Sequence, residues 1–235
     1  MSKLLIFTAT YNEVQNIKKL IDLIFKYNPK TDMLVIDDNS PDLTFNLLKK
    51  LKKKYKNLLI KLRPKKYGLD TAHKYAYKYA KKNGYEKLIT MDADLSHDPK
   101  EIPKIVKLLD ENSFVIGSRY IPGGKNDMTR LRLLLSIVGN KFIKIFLGSA
   151  GTEFTSSFRG FNLKKLKNFH FNQVESKGYS FFMETVIRIN RMGHKSYEIP
   201  IHFRNREFGV SKIPKVEILR TLFNVFKLFL KKNHK

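Results

Sequence analysis

Short apolar runs alternate with amphipathic segments along the first 120 residues. Five runs are typical of buried strands: "KLLIFTA", "MLVID", "NLLIKL", "KLITMD" and "FVIGS". The four segments between them have helical spacing of their apolar residues: 13–27, 41–54, 71–82 and 99–109. Repeated strand–helix units of this length predict an α/β fold, Rossmann-like, with a mainly parallel sheet and helices on both faces.

The pattern changes after residue 120. Residues 131–147 and 179–192 are predicted helices, and "KSYEIPIHF" is a predicted strand. Residues 216–230 form a last predicted helix, whose polar residues lie in one stripe. We find no internal repeat and no flexible linker, so we predict one domain over 1–213, followed by a basic amphipathic helix within 214–235.

Polar residues of special character gather where the predicted strands end. These ends carry "TYNE", "DDNSPD", "RPKKYGLD", "DADLSH" and "SRY". In open parallel sheets, ligands bind beyond the carboxyl ends of the strands. The sequence therefore predicts one rim of the sheet as the functional edge.

Asp92 and Asp94 stand one residue apart at the end of the fourth strand. Carboxylates at i and i+2 share a side of a strand, and such oxygen ligands suit Mg²⁺ or Mn²⁺ held together with substrate phosphates. Two other readings stay open for this pair. Asp92 could cap the next helix while Asp94 lies in a solvated turn, or the pair could belong to a phosphatase with an aspartate nucleophile. Phosphatases of that class place the motif after the first strand, which disfavours the second reading.

The composition limits the partners and the compartment. The net charge is +25, and residues 49–66 hold ten basic residues and no acid. Such a field attracts nucleic acid, anionic lipid headgroups or phosphorylated substrates, although a lysine-rich surface alone could account for much of it. The absence of cysteine excludes disulfides and thiolate metal sites and favours a reducing compartment. We also expect neither a signal peptide nor a transmembrane helix, because every apolar run is too short.

Seven segments resemble motifs of the polyprenol-phosphate glycosyltransferases of glycosyltransferase family 2, the group that includes dolichyl-phosphate mannosyltransferases. They occur in family order between residue 4 and about residue 213: "TATYNEVQNI", "VIDDNSPD", "RPKKYGLDTA", "MDADLSHDPKEIP", "IGSRYIPGG", "TSSFRGF" and "REFGVSK". The resemblance implies a GT-A fold and an inverting, metal-dependent transfer of mannose or glucose from a nucleotide-diphosphate sugar to a polyprenyl phosphate, either dolichyl or undecaprenyl.

The resemblance also implies roles for individual residues in the donor half of the site. Tyr11, Glu13, Asp38 and Lys66, together with Asp92, bind the donor. Asp92 and Asp94 are the catalytic metal and diphosphate ligands for Mg²⁺ or Mn²⁺. Ser96 stands where some relatives carry a glutamine metal ligand.

For the acceptor, the resemblance implies a group of cations around its phosphate. Arg119, which is also assigned to catalysis, is joined by Arg132, Ser136, Arg206 and Lys212. A lipid phosphate is already anionic and needs no general base, and the fixed fork of arginine suits phosphate oxygens better than lysine.

The basic last helix predicts peripheral attachment to the cytoplasmic face of an anionic membrane, or docking of a small integral membrane protein. One alternative within the family is transfer to a hydroxyl of a glycan or lipid, for which Glu184 would be the general base. A nucleic-acid-binding protein is the alternative from another class, but it gives no reason for the paired carboxylates, and we expect no nucleic-acid partner.

Overall fold

The strands and helices are described from a computed structural model that covers residues 3–148, 151–208 and 223–230. The strands are β1 (Leu4–Thr10), β2 (Asp32–Asp37), β3 (Leu58–Leu62), β4 (Lys87–Thr90), β5 (Phe114–Ser118), β6 (Lys125–Asn126), β7 (Arg159–Asn162), β8 (Ser196–Pro200) and β9 (His202–Phe203). The α-helices are α1 (Val14–Tyr27), α2 (Thr44–Lys54), α3 (Leu69–Lys82), α4 (Ile102–Glu111), α5 (Arg130–Leu147) and α6 (Ser180–Arg191). Short 3-10 turns cover Pro99–Glu101 and Phe171–Gln173, and residues 223–230 are helical.

Seven strands form one sheet in the order β3-β2-β1-β4-β7-β5-β8. Neighbouring strands are parallel except at β7, which lies antiparallel between β4 and β5. The mainly parallel sheet predicted from the sequence is confirmed.

The segment predicted as one strand, "KSYEIPIHF", is two strands in different sheets. Pro200 ends β8, because proline has no N–H with which to continue a ladder. The chain then turns after Ile201, whose carbonyl accepts a hydrogen bond from Lys125 N at 2.9 Å. Residues 202–203 therefore pair with β6 as a separate two-stranded ribbon.

Helices cover both faces of the sheet, as predicted. On one face, α1, α2 and α4 bury Ile17, Leu48 and Ile105 against the strands. On the other face, α3, α6 and the 223–230 helix contribute residues such as Phe181 and Val225. The sheet is thus covered by apolar helix faces, which leaves its two ends for loops.

Helix α5 and the helical residues 223–230 leave apolar side chains in solvent. Val225 and Leu228 are buried in the core, so this part of the last helix packs on the domain. Among the described side chains of the two helices, the large apolar residues that are exposed are Leu134, Leu135, Val138, Ile145, Phe146, Phe223, Phe226 and Leu230. The rings of Phe146 and Phe229 meet with centroids 5.9 Å apart, so the two helices are in contact.

In the part of the chain that is described, no helix is both long enough and apolar enough to cross a bilayer.

Candidate active site

A pocket of about 210 Å³ lies beyond the carboxyl ends of β1, β2 and β4. Parallel strands bring their carboxyl ends to the same edge, so residues distant in sequence meet there. The pocket contains all the predicted donor-binding and metal-binding residues and one predicted acceptor residue: Tyr11, Glu13, Asp38, Lys66, Asp92, Asp94 and Arg206. The predicted functional edge is therefore a formed pocket.

The loop after β4 fixes the Asp94 carboxylate through hydrogen bonds. Asp94 Oδ1 accepts hydrogen bonds from Ser96 N at 3.1 Å and Ser96 Oγ at 2.6 Å. This tight turn places Leu95 at a φ of 63°, in the left-handed region. The second oxygen, Oδ2, lies 3.1 Å from the Arg206 guanidinium. One oxygen of Asp94 is thus used to hold the loop and the other meets a cation.

Asp92 is held by residues from its own loop and from the segment before β7. Its Oδ1 accepts a hydrogen bond from Ser157 Oγ at 2.6 Å, and its backbone N–H donates to His97 Nδ1 at 3.3 Å. Burial raises the pKa of Asp92 above its ordinary value, and the neighbouring charge of Asp94 raises it further. The pocket therefore favours a positive group that keeps this carboxylate ionised.

His97 is a buried neutral imidazole beside Asp92. It stacks on Phe158 with centroids 5.1 Å apart and meets the edge of Phe203 at 5.5 Å. Burial lowers the pKa of His97, which agrees with Nδ1 accepting the Asp92 N–H. No role was predicted for this histidine, but the structure makes it a support for the carboxylate loop.

The two carboxylates fit a hard divalent cation that shares its coordination with a substrate. Oxygens are the preferred ligands of Mg²⁺ and Mn²⁺, and Asp92 and Asp94 both line the pocket. Within the described ranges, no group of three or more His, Asp or Glu side chains is arranged to hold a metal. A cation bound here must therefore complete its coordination with water or ligand oxygens, as Mg²⁺ commonly does with phosphates.

The outer part of the pocket is built by Asp38, Lys66 and Tyr11. Asp38 pairs with Arg63 and accepts a hydrogen bond from Tyr67 N at 3.3 Å. The Lys66 ammonium lies 4.3 Å from the centre of the Tyr11 ring. An aromatic face, a cation and a fixed carboxylate suit a flat ring with polar substituents and nearby phosphates.

A second cavity of about 600 Å³ lies between the loop after β5 and α5. Its apolar walls include Ile121, Leu133 and Ile137, and its cations are Arg119, Lys141 and Lys144. None of the described residues that line it is acidic. This cavity suits an anion with an apolar body.

Arg119 is fixed at the mouth of this second cavity by a buried carboxylate. Its Nε donates to Glu153 Oε2 at 2.8 Å, and a terminal nitrogen donates to Thr155 Oγ1 at 3.2 Å. Burial by itself lowers the pKa of Arg119, but the Glu153 charge and hydrogen bond and the weaker Asp92 charge raise it above its ordinary value. Arg119 is thus a preorganised cation whose charge reaches the first pocket.

A family profile gives the identification. The profile described as Glycosyl transferase family 2 matches residues 5–169, more than half of the chain. The chain belongs to glycosyl transferase family 2.

Two relatives in this family match almost the whole chain. The undecaprenyl-phosphate mannosyltransferase of Micrococcus luteus is 32% identical over 212 residues, which cover 90% of this chain and 87% of that protein. The polyprenol monophosphomannose synthase of Mycolicibacterium smegmatis is 33% identical over 224 residues, or 94% of this chain and 84% of that protein.

Solved structures of glycosyltransferases share the fold. A mannosyltransferase from Pyrobaculum calidifontis in complex with GDP-Man and Mn²⁺ matches with a TM-score of 0.65 at 17% identity, over 99% of this chain and 64% of that one. The glucosyl-3-phosphoglycerate synthase of Mycobacterium tuberculosis in complex with Mn²⁺ and UDP gives 0.65 at 14% identity, over 98% of this chain and 79% of that one. These matches confirm the predicted GT-A α/β fold.

Two of the acceptor residues predicted from the family motifs, Arg119 and Ser136, do not line the first pocket. Ser136 is in α5, where its hydroxyl is 2.5 Å from Tyr120 Oη at the second cavity. Arg132 lies in the first turn of α5, but its side chain is outside the described part of the structure. Lys212 also lies outside the described residues.

Glu184, the general base suggested for a hydroxyl acceptor, is a structural residue. Its Oε2 accepts hydrogen bonds from Glu175 N at 3.1 Å and Ser176 N at 2.7 Å, and its Oε1 pairs with Arg188 at 2.5 Å. It lines a small cavity beside Lys227 rather than either large one. That candidate base was wrong, because the start of α6 uses the carboxylate to bind the preceding loop.

Two residues of the site were missed from the sequence. Ser157 binds Asp92 across 65 residues, and Tyr179 lines the first pocket beside Asp94. The signal for Ser157 was its place in "TSSFRGF", one of the segments that resemble family motifs. Nothing in the local pattern around Tyr179 marks it.

Proposed function

We propose that this family 2 enzyme is an inverting glycosyltransferase that moves a hexose from a nucleotide-diphosphate sugar to a polyprenyl phosphate. The supporting observation is that two sites lie close together: a pocket with paired carboxylates, and a cavity whose described lining is apolar and basic and includes the fixed Arg119. The relatives from Micrococcus luteus and Mycolicibacterium smegmatis, both named for mannose transfer to polyprenyl carriers, favour mannose over glucose.

On the donor side, Asp92 and Asp94 would hold Mg²⁺ or Mn²⁺, which would share its coordination with the diphosphate of the donor. Such a cation, when bound, neutralises the charge that develops on the departing nucleotide diphosphate. Tyr11 and Lys66 offer a stacking face and a cation, and Glu13 and Asp38 offer acceptors for ribose or base N–H and O–H groups. Ser157 and Ser96 keep the two carboxylates aimed into the pocket.

On the acceptor side, the phosphate oxygen is the nucleophile and carries its charge before the reaction. The task of the protein is to hold that oxygen in line with the anomeric carbon. Arg119, held by Glu153, is oriented for this, and Arg132, Ser136, Arg206 and Lys212 complete the proposed phosphate site. Displacement from the opposite side of the sugar inverts the anomeric carbon.

The lining of the second cavity favours a phosphate over a hydroxyl acceptor. A hydroxyl nucleophile needs a general base within hydrogen-bond reach. The described lining offers Arg119, Lys141 and Lys144 but no carboxylate, and Glu184 is engaged elsewhere. The apolar walls suit the isoprenoid part of a lipid phosphate.

A peripheral position on the cytoplasmic face of an anionic membrane follows from the same acceptor. Leu134, Leu135 and Ile145 are exposed on α5 beside Lys141 and Lys144. Exposed apolar and basic side chains on one helix suit the interface of an anionic bilayer. This surface adjoins the second cavity, so a lipid could enter it without leaving the membrane.

The transfer is tested with Mn²⁺ or Mg²⁺, short polyprenyl phosphate, and GDP-mannose, UDP-glucose and other nucleotide sugars offered separately. We expect a glycolipid whose mass equals acceptor phosphate plus one hexose, and none with polyprenol. Asp94→Asn is the inactive control. Hexose transfer to polyprenol, or inactivity on the phosphate with every donor, would refute the proposal.

Membrane attachment is tested by sedimentation with vesicles of phosphatidylglycerol and phosphatidylcholine. Replacing Leu135 and Ile145 together by serine should reduce binding at least a hundredfold, because burying each side chain in the membrane contributes about 1.5 kcal/mol or more, or about 3 kcal/mol for the two. Leu43→Ser, at a residue that is 64% exposed before α2, is the matched control. Equal binding by the double variant and the control would contradict attachment through α5.

A further inference from the structure

The residues 201–208, here called the strap, contribute Arg206 to the lining of the carboxylate pocket. Phe203 packs on His97, and Arg204 N donates to Ser96 O at 3.0 Å. The Arg206 side chain then reaches Asp94 Oδ2 at 3.1 Å. The strap therefore brings a cation to the oxygen that a divalent metal would use.

We infer that Arg206 is a resident counter-ion of Asp94 that must leave the carboxylate when a divalent cation binds, and that it then faces the donor diphosphate as well as the acceptor phosphate. This inference rests on the proposed metal site at Asp92 and Asp94. Two positive groups cannot share one carboxylate oxygen at close range without mutual repulsion. The metal affinity of the free enzyme is consequently lowered by the strength of the Arg206 pair.

The Asp94 carboxylate does not depend on Arg206 for its position. Ser96 already holds Oδ1 through two hydrogen bonds, so Oδ2 stays aimed into the pocket when the guanidinium leaves. The pair is also partly open to water, since the Arg206 side chain is 27% exposed against 10% for Asp94. Exchange of one cation for another is therefore possible without opening the domain.

The strap is anchored independently of Arg206. Arg204 pairs with Asp98 at 2.9 Å, and Asn205 N donates to Asp127 at 3.4 Å. Further along, Glu207 pairs with Lys19 at 2.6 Å. Because these contacts remain, the Arg206 side chain can move or be removed while its backbone stays at the pocket.

The proposal predicts that loss of the Arg206 charge has opposite effects on metal affinity and on nucleotide affinity. Without nucleotide, the loss of the Arg206 charge should strengthen metal binding. With a nucleoside diphosphate present, the same loss removes a cation from the phosphates and should weaken nucleotide binding. A residue with only a structural role would weaken both.

The test is Mn²⁺ binding to the whole chain, followed by the electron paramagnetic resonance signal of free Mn²⁺ at low ionic strength. Arg206→Gln should bind Mn²⁺ about fivefold more tightly than the wild type, because a charge pair that is partly open to water contributes only modestly. The same variant should bind GDP about tenfold more weakly at saturating Mn²⁺. Arg204→Gln, on the same strap but paired with Asp98, should leave Mn²⁺ affinity unchanged.

The outcomes separate this inference from the proposed function. Mn²⁺ affinity of Arg206→Gln equal to or below that of the wild type would overturn the counter-ion role, provided that Asp94→Asn still abolishes binding. If Asp94→Asn binds Mn²⁺ as well as the wild type does, even with GDP present, the metal site itself is refuted. Thermal unfolding of each variant checks that the variant is folded under the conditions of the binding assay.

Discussion

The buried histidine of α3 provides a quantitative prediction for stability against acid. His73 is 3% exposed, and its ring meets Phe7 and Phe182 edge-on, with centroids 5.0 Å and 4.9 Å away. Burial lowers its pKa from 6.5 to about 3, and the charge of nearby Arg159 acts in the same direction. The native protein therefore holds this imidazole neutral through the mildly acidic range.

The direction of the pH effect on stability follows from proton binding by the native and the unfolded states. Below pH 6.5 the unfolded chain protonates His73 while the native chain does not, so acid favours unfolding until the pH reaches the native value near 3. Each pH unit in this window costs about 1.4 kcal/mol. Between pH 8 and pH 5, His73 alone should therefore lower the free energy of unfolding by about 2 kcal/mol.

Urea unfolding of the wild type and of His73→Phe at pH 8 and pH 5 measures this contribution. Phenylalanine suits the surrounding aromatic rings and cannot be protonated, so the variant should lose about 2 kcal/mol less than the wild type on acidification. His170→Gln, at an exposed position, should retain the wild-type loss. Equal losses in the wild type and His73→Phe, or an NMR titration of the native His73 ring near pH 6.5, would refute the reasoning.

Three further predictions concern the packing and the support of the site. A Cβ at Gly160 in β7 would lie 2.5 Å from a side chain of α4. Gly160→Ala should therefore lower the free energy of unfolding, measured in urea, by about 1–3 kcal/mol. Gly139→Ala, in a helix and with open space around the added Cβ, should raise it slightly. Ser157→Ala removes the hydroxyl from the first carboxylate of the pair and should weaken Mn²⁺ binding by calorimetry at least tenfold, with unchanged thermal stability as the control. Glu153→Gln leaves the buried Arg119 without its counter-charge and should cost about 3 kcal/mol of stability, which a shift in Tm of less than a degree would contradict.

The elements were predictable wherever local periodicity defines them. Helix α1 begins one residue after the predicted start, and α5 begins one residue before it. Helix α2 begins at Thr44 rather than 41, because Asp42 accepts the Thr44 N–H at 3.0 Å and Leu43 takes a left-handed φ of 65°. Side-chain capping of this kind changes a boundary without changing the apolar pattern.

Contacts between distant segments were not predictable from periodicity. The position of β7 between β4 and β5 depends on Gly160, which lets α4 pack closely on β7. It also depends on pairing of β7 with strands that are distant in the sequence. The same limit applies to the site, where the strand-end rule found Asp38, Asp92 and Asp94 but not Ser157. Residues that directly follow a strand can be predicted from the sequence, because the apolar pattern locates the end of the strand. Residues that reach the site from a distant segment cannot be predicted in this way.

Lysine and arginine contribute differently to the charge of +25. The chain has ten arginines and 36 lysines. The arginines that pair with a carboxylate in the described ranges include Arg63, Arg119, Arg188, Arg204 and Arg206. Most lysines lie on the surface, so their field acts at long range and is screened by salt.

Arginine instead provides geometry at the two sites. Each of three arginines forms an ion pair with a carboxylate there: Arg63 with Asp38, Arg119 with Glu153, and Arg206 with Asp94. The planar guanidinium binds a carboxylate and can present its other edge to a phosphate, which a lysine ammonium cannot do in one orientation. In the proposed function, the lysine-rich surface would attract anionic lipids and nucleotides over a distance, and the few arginines at the two sites would bind their phosphates.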